Sequence, residues 1–367
     1  MTTTVRLLAK SLHYPPDLVL HTASSGRIAA LDELYLVVER DGGMAGFGEI
    51  RENVAYLTGL RPASVRSAVR ALAHGLDWSQ PRKAIAAQLD RLAPNVPAIA
   101  KALIDTALVD WAAREKAIPV AELFGATFQP RQATNQSLFV SDDERLLAMA
   151  ERYVARGFRK LKLRVGACTI AEDCGRLALL RDKFGSDIEL AVDANGSWTL
   201  AEARANLQSM ARFDLAYAEQ PIAAGDWHAA LQLAEATPVP IMLDESIATP
   251  ADVDRVINAA GKLWAHLKII KLGGITPTIE AARRLAAAGV PFMIGQMNEG
   301  AAATAAAYHC AVATTPTHAE LYGADGLIDD PVHGVSYADG NVCMSSAPGL
   351  GVSIETRDCE TLWEIRA

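Results

Sequence analysis

The stretch IELAVDA (residues 188–194), followed by LAYAEQ (215–220), VPIMLDE (239–245) and LWAHLKII (264–270), decides the fold of this 367-residue chain. Each is the short apolar run of a strand buried on both faces, except that a charge sits in it or at its end. Asp193, Glu219, Asp244 and Lys268 follow one another at steps of 26, 25 and 24 residues. One step is the length of a strand and its return helix. The four charges therefore stand at equivalent heights on four successive strands.

Working outward, NQSLFV (135–140) and FRKLKLRV (158–165) come before these runs, and VPFMIG (290–295) and HAELYG (318–323) come after. That makes eight. Between them lie alanine-rich amphipathic patterns. In SDDERLLAMAERYVARG, Ser141 is placed to cap the helix, acids fill the first turn and Gly157 ends it. Further helices are predicted to start at Ser197, Thr249 and Thr276, with Pro250 and Pro277 in positions that helix starts favour. Strands that alternate with helices pair in parallel. A doubly wound sheet that binds a nucleotide would carry a Gly-rich turn after its first strand. Neither GxGxxG nor GxxxxGK[ST] occurs. The predicted fold is α/β: a (β/α) TIM-type barrel with an N-terminal α+β capping domain, the chemistry lying at the C-terminal strand ends.

The capping domain is predicted over 1–125, the barrel over 126–329, and a tail, 330–367, packs back on the cap. Leu31–Arg40 and Met44–Ile50 form a hairpin through Asp41-Gly42-Gly43. Helical patterns follow at 63–76, 81–93 and 97–116. Half the residues are hydrophobic, which excludes a disordered chain, and the net charge is −8 with no basic run. Nucleic acid and anionic membrane surfaces are thus poor partners. The start, MTTTVRLLAKSLHYPPD, has no apolar core of a secretory signal. The longest stretch free of Asp, Glu, Lys and Arg, 300–319, contains His309, Pro316 and His318 and does not read as a membrane span. Five cysteines, an odd number without a CxxC pair, read as free thiols of a cytoplasmic protein.

One rim acid alone would read as a helix cap. Three neighbouring carboxylates at one rim repel each other and need a cation. Asp193, Glu219 and Asp244 are therefore predicted metal ligands. An all-oxygen set selects a hard ion, Mg²⁺ first and Mn²⁺ second. Lys160 and Lys162 share one face of the second strand. In a barrel without edges that face is the interior, near the metal. Lys162 and Lys268 are four strands apart in a ring of eight, so a metal-bound carboxylate would meet one lysine on each side. Burial and nearby positive charge should bring such lysines down to roughly 7–8, where they serve as acid and base. A carboxylate chelated to Mg²⁺ is in turn a better carbon acid, losing its α-proton to give an enediolate.

These residues resemble the enolase superfamily in its muconate-lactonizing subgroup. The resemblance runs over nearly the whole chain. It rests on Gly46-Phe47-Gly48-Glu49, Lys160-Leu161-Lys162, Asp193-Ala194-Asn195, Glu219-Gln220-Pro221, Asp244-Glu245-Ser246, and Lys268 followed by Gly273-Gly274. It implies the same metal ligands, Lys162 and Lys268 as acid and base, and a cap whose loops close the site. Gln296-Met297-Asn298-Glu299-Gly300 lacks the histidine of mandelate racemases. With Glu320-Leu321-Tyr322-Gly323 it is most similar to cycloisomerases. Dipeptide epimerases carry an Asp-x-Asp pair after the eighth strand. Here Asp325 stands alone in Gly323-Ala324-Asp325-Gly326-Leu327, which also departs from the apolar segment of cycloisomerases.

The resemblance thus implies a small-molecule carboxylate substrate and a muconate-type cycloisomerase. Dipeptide or N-acylamino acid epimerases and o-succinylbenzoate synthase-like dehydratases are the alternatives. A non-catalytic binding protein would need neither the lysine pair nor the three acids. A Schiff-base aldolase would leave the acids unexplained. Lys160, Asn195, Glu245, Lys271, Gln296 and Glu299 are expected to support the site, and His266 to be a hydrogen-bonded interior residue. Arg27, Arg51, Tyr56 and Asp325 are candidate substrate contacts, and a homo-oligomer is expected.

Overall fold

The computed structural model describes residues 2–16, 18, 20–92 and 95–367. Its eight-stranded sheet follows chain order throughout: Gln136–Leu138, Lys160–Arg164, Glu189–Asp193, Leu215–Glu219, Ile241–Leu243, Leu263–Lys268, Phe292–Gly295 and His318–Glu320. Every neighbouring pair is parallel. First and eighth strands meet where the Asn135 N–H donates to the Ala319 carbonyl at 3.1 Å and Asn135 Nδ2 donates to Glu320 at 3.0 Å. A nearly closed barrel results.

Alternation sorts the side chains into two layers. Leu190 and Val192 join the large core beneath the helices. Ala191, Tyr217, Met242 and Met293 form a separate apolar cluster inside the ring. Two residues beyond that cluster on their own strands lie Asp193, Glu219 and Asp244. The barrel centre is thus apolar, with the acids above it at the C-terminal end.

Several helix starts are displaced from the sequence reading. Asp142, not Ser141, caps Asp143–Ala155, its side chain accepting from the Arg145 N–H. Thr199, not Ser197, caps Leu200–Met210 in a reciprocal bond with Glu202. Both lie one or two residues downstream, where the cap carries a partner three positions on. Thr249 caps Pro250–Asn258 as expected, whereas Thr276 lies inside Ile275–Ala287.

The capping sheet runs Glu360–Arg366, Thr3–Leu12, Leu31–Arg40, Gly43–Arg51, all antiparallel. The hairpin turn uses Asp41 and Gly42 at φ 49° and 80°, the left-handed pair that a tight hairpin requires. Helix Ala98–Glu115 lies directly on this sheet. A Cβ on Gly46 would fall 2.5 Å from the Ala107 carbonyl oxygen, and one on Gly48 2.6 Å from that of Leu103. The Gly-x-Gly pattern is therefore a packing requirement. Asp110 on the same helix accepts from the N–H groups of Phe47 (3.0 Å) and Leu350 (2.7 Å) and from Arg114 (2.7 Å), tying sheet, helix and tail together. All five cysteines are free thiols, and among the described residues no helix is long and apolar enough to cross a membrane.

Candidate active site

Asp193, Glu219 and Asp244 are buried at the ends of the third, fourth and fifth barrel strands. Glu219 stands opposite Asp193 in the parallel ladder. Each acid is gripped by a cationic side chain. Arg164 contacts Asp193, and Lys162 Nζ lies 2.8 Å from Glu219 and 3.7 Å from Asp193. Lys268 Nζ lies 2.7 Å from Asp244 Oδ2, and Lys271 donates to Asp244 Oδ1 and to its carbonyl oxygen. His266 Nδ1 is 2.8 Å from Glu219 and 4.0 Å from Asp244. The three acids are thus joined in one network through shared partners.

Gln220 sets the position of Asp244. Its Oε1 accepts from the N–H groups of Asp244 (3.0 Å) and Ser246 (3.2 Å), which ties the end of the fourth strand to the end of the fifth. Asn195 does the same for Asp193. Its N–H donates to Asp193 Oδ1 at 2.8 Å and its amide donates to Glu245 at 3.1 Å.

Charge and burial set the titration of the network. Burial pushes Asp193 up to about 6 against the pull of Arg164. For Glu219, burial is outweighed by Lys162 and His266, and its carboxyl is held below the usual range. Asp244 is held well below, with Lys268, Lys271 and His266 overcoming burial. Glu245 rises to about 8 through burial and the neighbouring Asp244 and Asp193. The lysines depart from expectation. Burial acts to lower Lys268, but Asp244, Glu320 and Glu219 outweigh it and hold the ammonium above the ordinary lysine range. Glu219 and Glu320 do the same for Lys162. The carboxylates paired with the two lysines prevail over burial.

Asp193, Glu219 and Asp244 suit a hard divalent cation: they are buried, supply only oxygen, and are oriented by Asn195 on Asp193, His266 on Glu219, and Gln220 and Lys271 on Asp244. Among the described residues, the ligand atoms lying within 4.8 Å of one another belong to Glu219, His266 and Glu320. That grouping shares Glu219 with the acid triad. His266 Nδ1 is already engaged with Glu219, and all three acids of the triad remain tied to lysine or arginine. Asp193, Glu219 and Asp244 would be the all-oxygen donor set for a hard ion.

A cavity opens above the acids. Its barrel wall includes Arg164, Asn195, Asp244, Glu245, Lys268 and Gln296. The segment 20–28 and Tyr56 and Leu57 of the cap form its roof. Tyr56 is the one candidate substrate contact placed there. Arg27 lies on a separate groove. Arg51 is buried, donating to Asn53 at 2.6 Å and to the Asn298 carbonyl at 3.3 Å, so it fastens cap to barrel. Asp325 is paired with Arg156 at 2.7 Å and accepts from Gln136. Glu299 is buried, accepting from the Met297 N–H at 3.0 Å.

The second strand needs a correction. Lys160 is at its start, 35% exposed and 3.8 Å from Glu189, near the far end of the barrel from the acids. Four residues of strand span about 13 Å, which is why it does not reach them. Lys162 touches the acids from below but is not on the cavity wall. Arg164, Glu320 and Tyr322 were not singled out as site residues, yet they line the cavity. Arg164 was available from the same alternation that picked Lys160 and Lys162. Glu320 was available as an acid closing the eighth run.

The chain matches the family model described as mandelate racemase / muconate lactonizing enzyme, N-terminal domain, over residues 1–125. It matches the enolase C-terminal domain-like model over 145–358. It is 28% identical over 352 residues to the N-succinyl-L-Arg/Lys racemase of Bacillus cereus, covering 93% of this chain and 92% of that one. The dipeptide epimerase of Enterococcus faecalis V583, solved with Mg and L-Leu-L-Tyr, superposes with a TM-score of 0.87 at 26% identity, over 96% of this chain and 100% of that one. The muconate lactonizing enzyme of Pseudomonas fluorescens, solved with muconolactone, superposes with a TM-score of 0.88 at 25% identity, over 96% of each chain.

Proposed function

We propose that this chain, which belongs to the mandelate racemase / muconate lactonizing enzyme family of the enolase superfamily, moves the proton α to the carboxylate of a small-molecule substrate through Lys268. One observation carries the reading. Of the two lysines assigned to acid–base work, Lys268 is the one on the cavity wall, and its Nζ lies 2.7 Å from a carboxylate of the acid triad.

Asp193, Glu219 and Asp244 are the residues that would hold Mg²⁺. The ion would polarise a substrate carboxylate and make its α-proton more acidic. Lys268 would return that proton as its ammonium and take it as the neutral amine, the form that a cation on Asp244 would favour. Lys271 and Gln220 hold Asp244 in place beneath it, and Tyr56 and Leu57 cover the cavity and exclude water. The similar enzymes named above are isomerases, and isomerisation is the reaction class we assign. Cycloisomerisation of a muconate-like dicarboxylate is the first choice, supported by the likeness to the muconate lactonizing enzyme. Epimerisation of a dipeptide or N-acylamino acid is the second, supported by the racemase and the dipeptide epimerase. Free thiols throughout fit a cytoplasmic setting, and a homo-oligomer is the proposed assembly.

The test is incubation of the protein with Mg²⁺ in D₂O against muconates, dipeptides and N-acylamino acids, with deuterium at the α-carbon followed by NMR. Deuterium or lactone in one class, lost on chelation, supports the reading. Full activity after exhaustive chelation would sink it.

A further inference from the structure

The inward face of the second barrel strand carries a cation at three levels: Lys160, Lys162 and Arg164. In the ladder Lys162 stands level with Ala191, whereas Arg164 stands level with Asp193. Lys162 is enclosed, its Nζ shared among Glu219, Asp193 and Glu320. Arg164 lines the cavity together with Lys268, four strands round the ring from it.

Arg164 is itself buried, 8% exposed. Nη1 reaches Asp193 and Asn195, and Nη2 lies 3.4 Å from the Tyr322 hydroxyl. Nε is buried and has no partner. The Phe139 ring, also on the cavity wall, lies 5.9 Å from the guanidinium carbon. A guanidinium has hydrogen-bond donors and no acceptor. It can hold an anion; it offers no lone pair to a carbon-bound proton.

We propose that Arg164 meets the substrate on the face opposite Lys268 as an anion clamp, so that the proton leaves and returns on one face only and the substrate carries a second anionic group. The inference rests on Lys268 as the proton carrier. It selects among the reactions above, because epimerisation through two opposed bases needs a proton carrier on each face. The substrate class becomes a dianionic carboxylate: one carboxylate near the acid triad, the other drawing on the donors of Arg164.

The experiment uses the full chain with Mg²⁺ and two probes, cis,cis-muconate and its monomethyl ester, with binding measured by calorimetry. In Arg164→Met, affinity for the dianion is expected to fall roughly 10- to 100-fold, the equivalent of one charge-assisted hydrogen bond, while affinity for the monoester holds. Equal losses for both probes, or none, would overturn the clamp. Arg164→Lys keeps a positive charge beside Asp193 and supplies a second proton carrier. Wild type is expected to exchange the α-proton of one enantiomer of a chiral N-succinylamino acid in D₂O, and Arg164→Lys of both. Exchange of both enantiomers by wild type would overturn the one-face assignment. Binding of the dianion that depends on Arg164, without α-proton exchange on any substrate, would uphold the clamp and sink the proton-transfer reading instead.

Discussion

The second and sixth barrel strands build opposite walls of one cavity, and each carries inward-facing basic side chains at different depths. On the sixth, Lys268 is the last residue of Leu263–Lys268 and reaches the cavity, with His266 one level below on Glu219. On the second, the last residue of Lys160–Arg164 is the arginine, and the lysine below it is sealed among carboxylates. Alternation decides which side a residue faces, while register against the neighbouring strand decides how high it stands. Two lysines that face the same interior can therefore do different work.

The largest expected effect is on the sixth strand. Lys268→Ala should lower α-proton exchange by roughly 10²- to 10⁴-fold, the usual contribution of a positioned acid–base group. Circular dichroism should be unchanged. Exchange near the wild-type rate, followed by proton NMR in D₂O, would remove the asymmetry between the walls.

Lys162→Met sharpens the other side. It leaves Glu219 and Glu320 buried without their shared cation, and removing one partner of a buried ion pair costs about 3–5 kcal/mol. Urea denaturation should show that loss directly. If the variant unfolds at the wild-type midpoint and loses only turnover, the enclosed lysine is acting on substrate and the comparison fails.

A smaller effect concerns acid. Glu219 is held below the ordinary glutamate value of 4.5, with Lys162 and His266 overcoming burial. The stability it contributes is complete above pH 4.5 and is lost as the pH falls below that value. In chelator, the melting temperature of wild type should drop through this range, and Lys162→Met should drop less. Parallel curves would detach Glu219 from the strand-two wall.

The barrel was legible because eight apolar runs recur at the spacing of a βα unit, and local caps such as Thr249 mark the helices between them. The acids were legible because a carboxylate closing a buried strand is costly without a purpose. Depth was not legible from alternation alone: Lys160, Lys162 and Arg164 share a face, and only pairing with Glu189–Asp193 shows which stands level with the acids. Arg51 and Asp325 read as candidate substrate contacts because the partners that hold them in the fold, Asn298 and Arg156, lie 247 and 169 residues away. Thr3–Leu12 and Glu360–Arg366 were missed as strands for the same reason. Nothing near either in sequence announces a pairing across the length of the chain.

That pairing has a consequence for synthesis. The strand Thr3–Leu12 lies inside the capping sheet, with Leu31–Arg40 on one side and Glu360–Arg366 on the other. Its first neighbour leaves the ribosome almost at once, its second only after the whole barrel has been translated. Until then the cap carries an open edge, a row of unpaired backbone groups beside buried aliphatic side chains. The capping sheet is begun first and finished last, and the nascent chain must shield that edge for as long as the barrel takes to make.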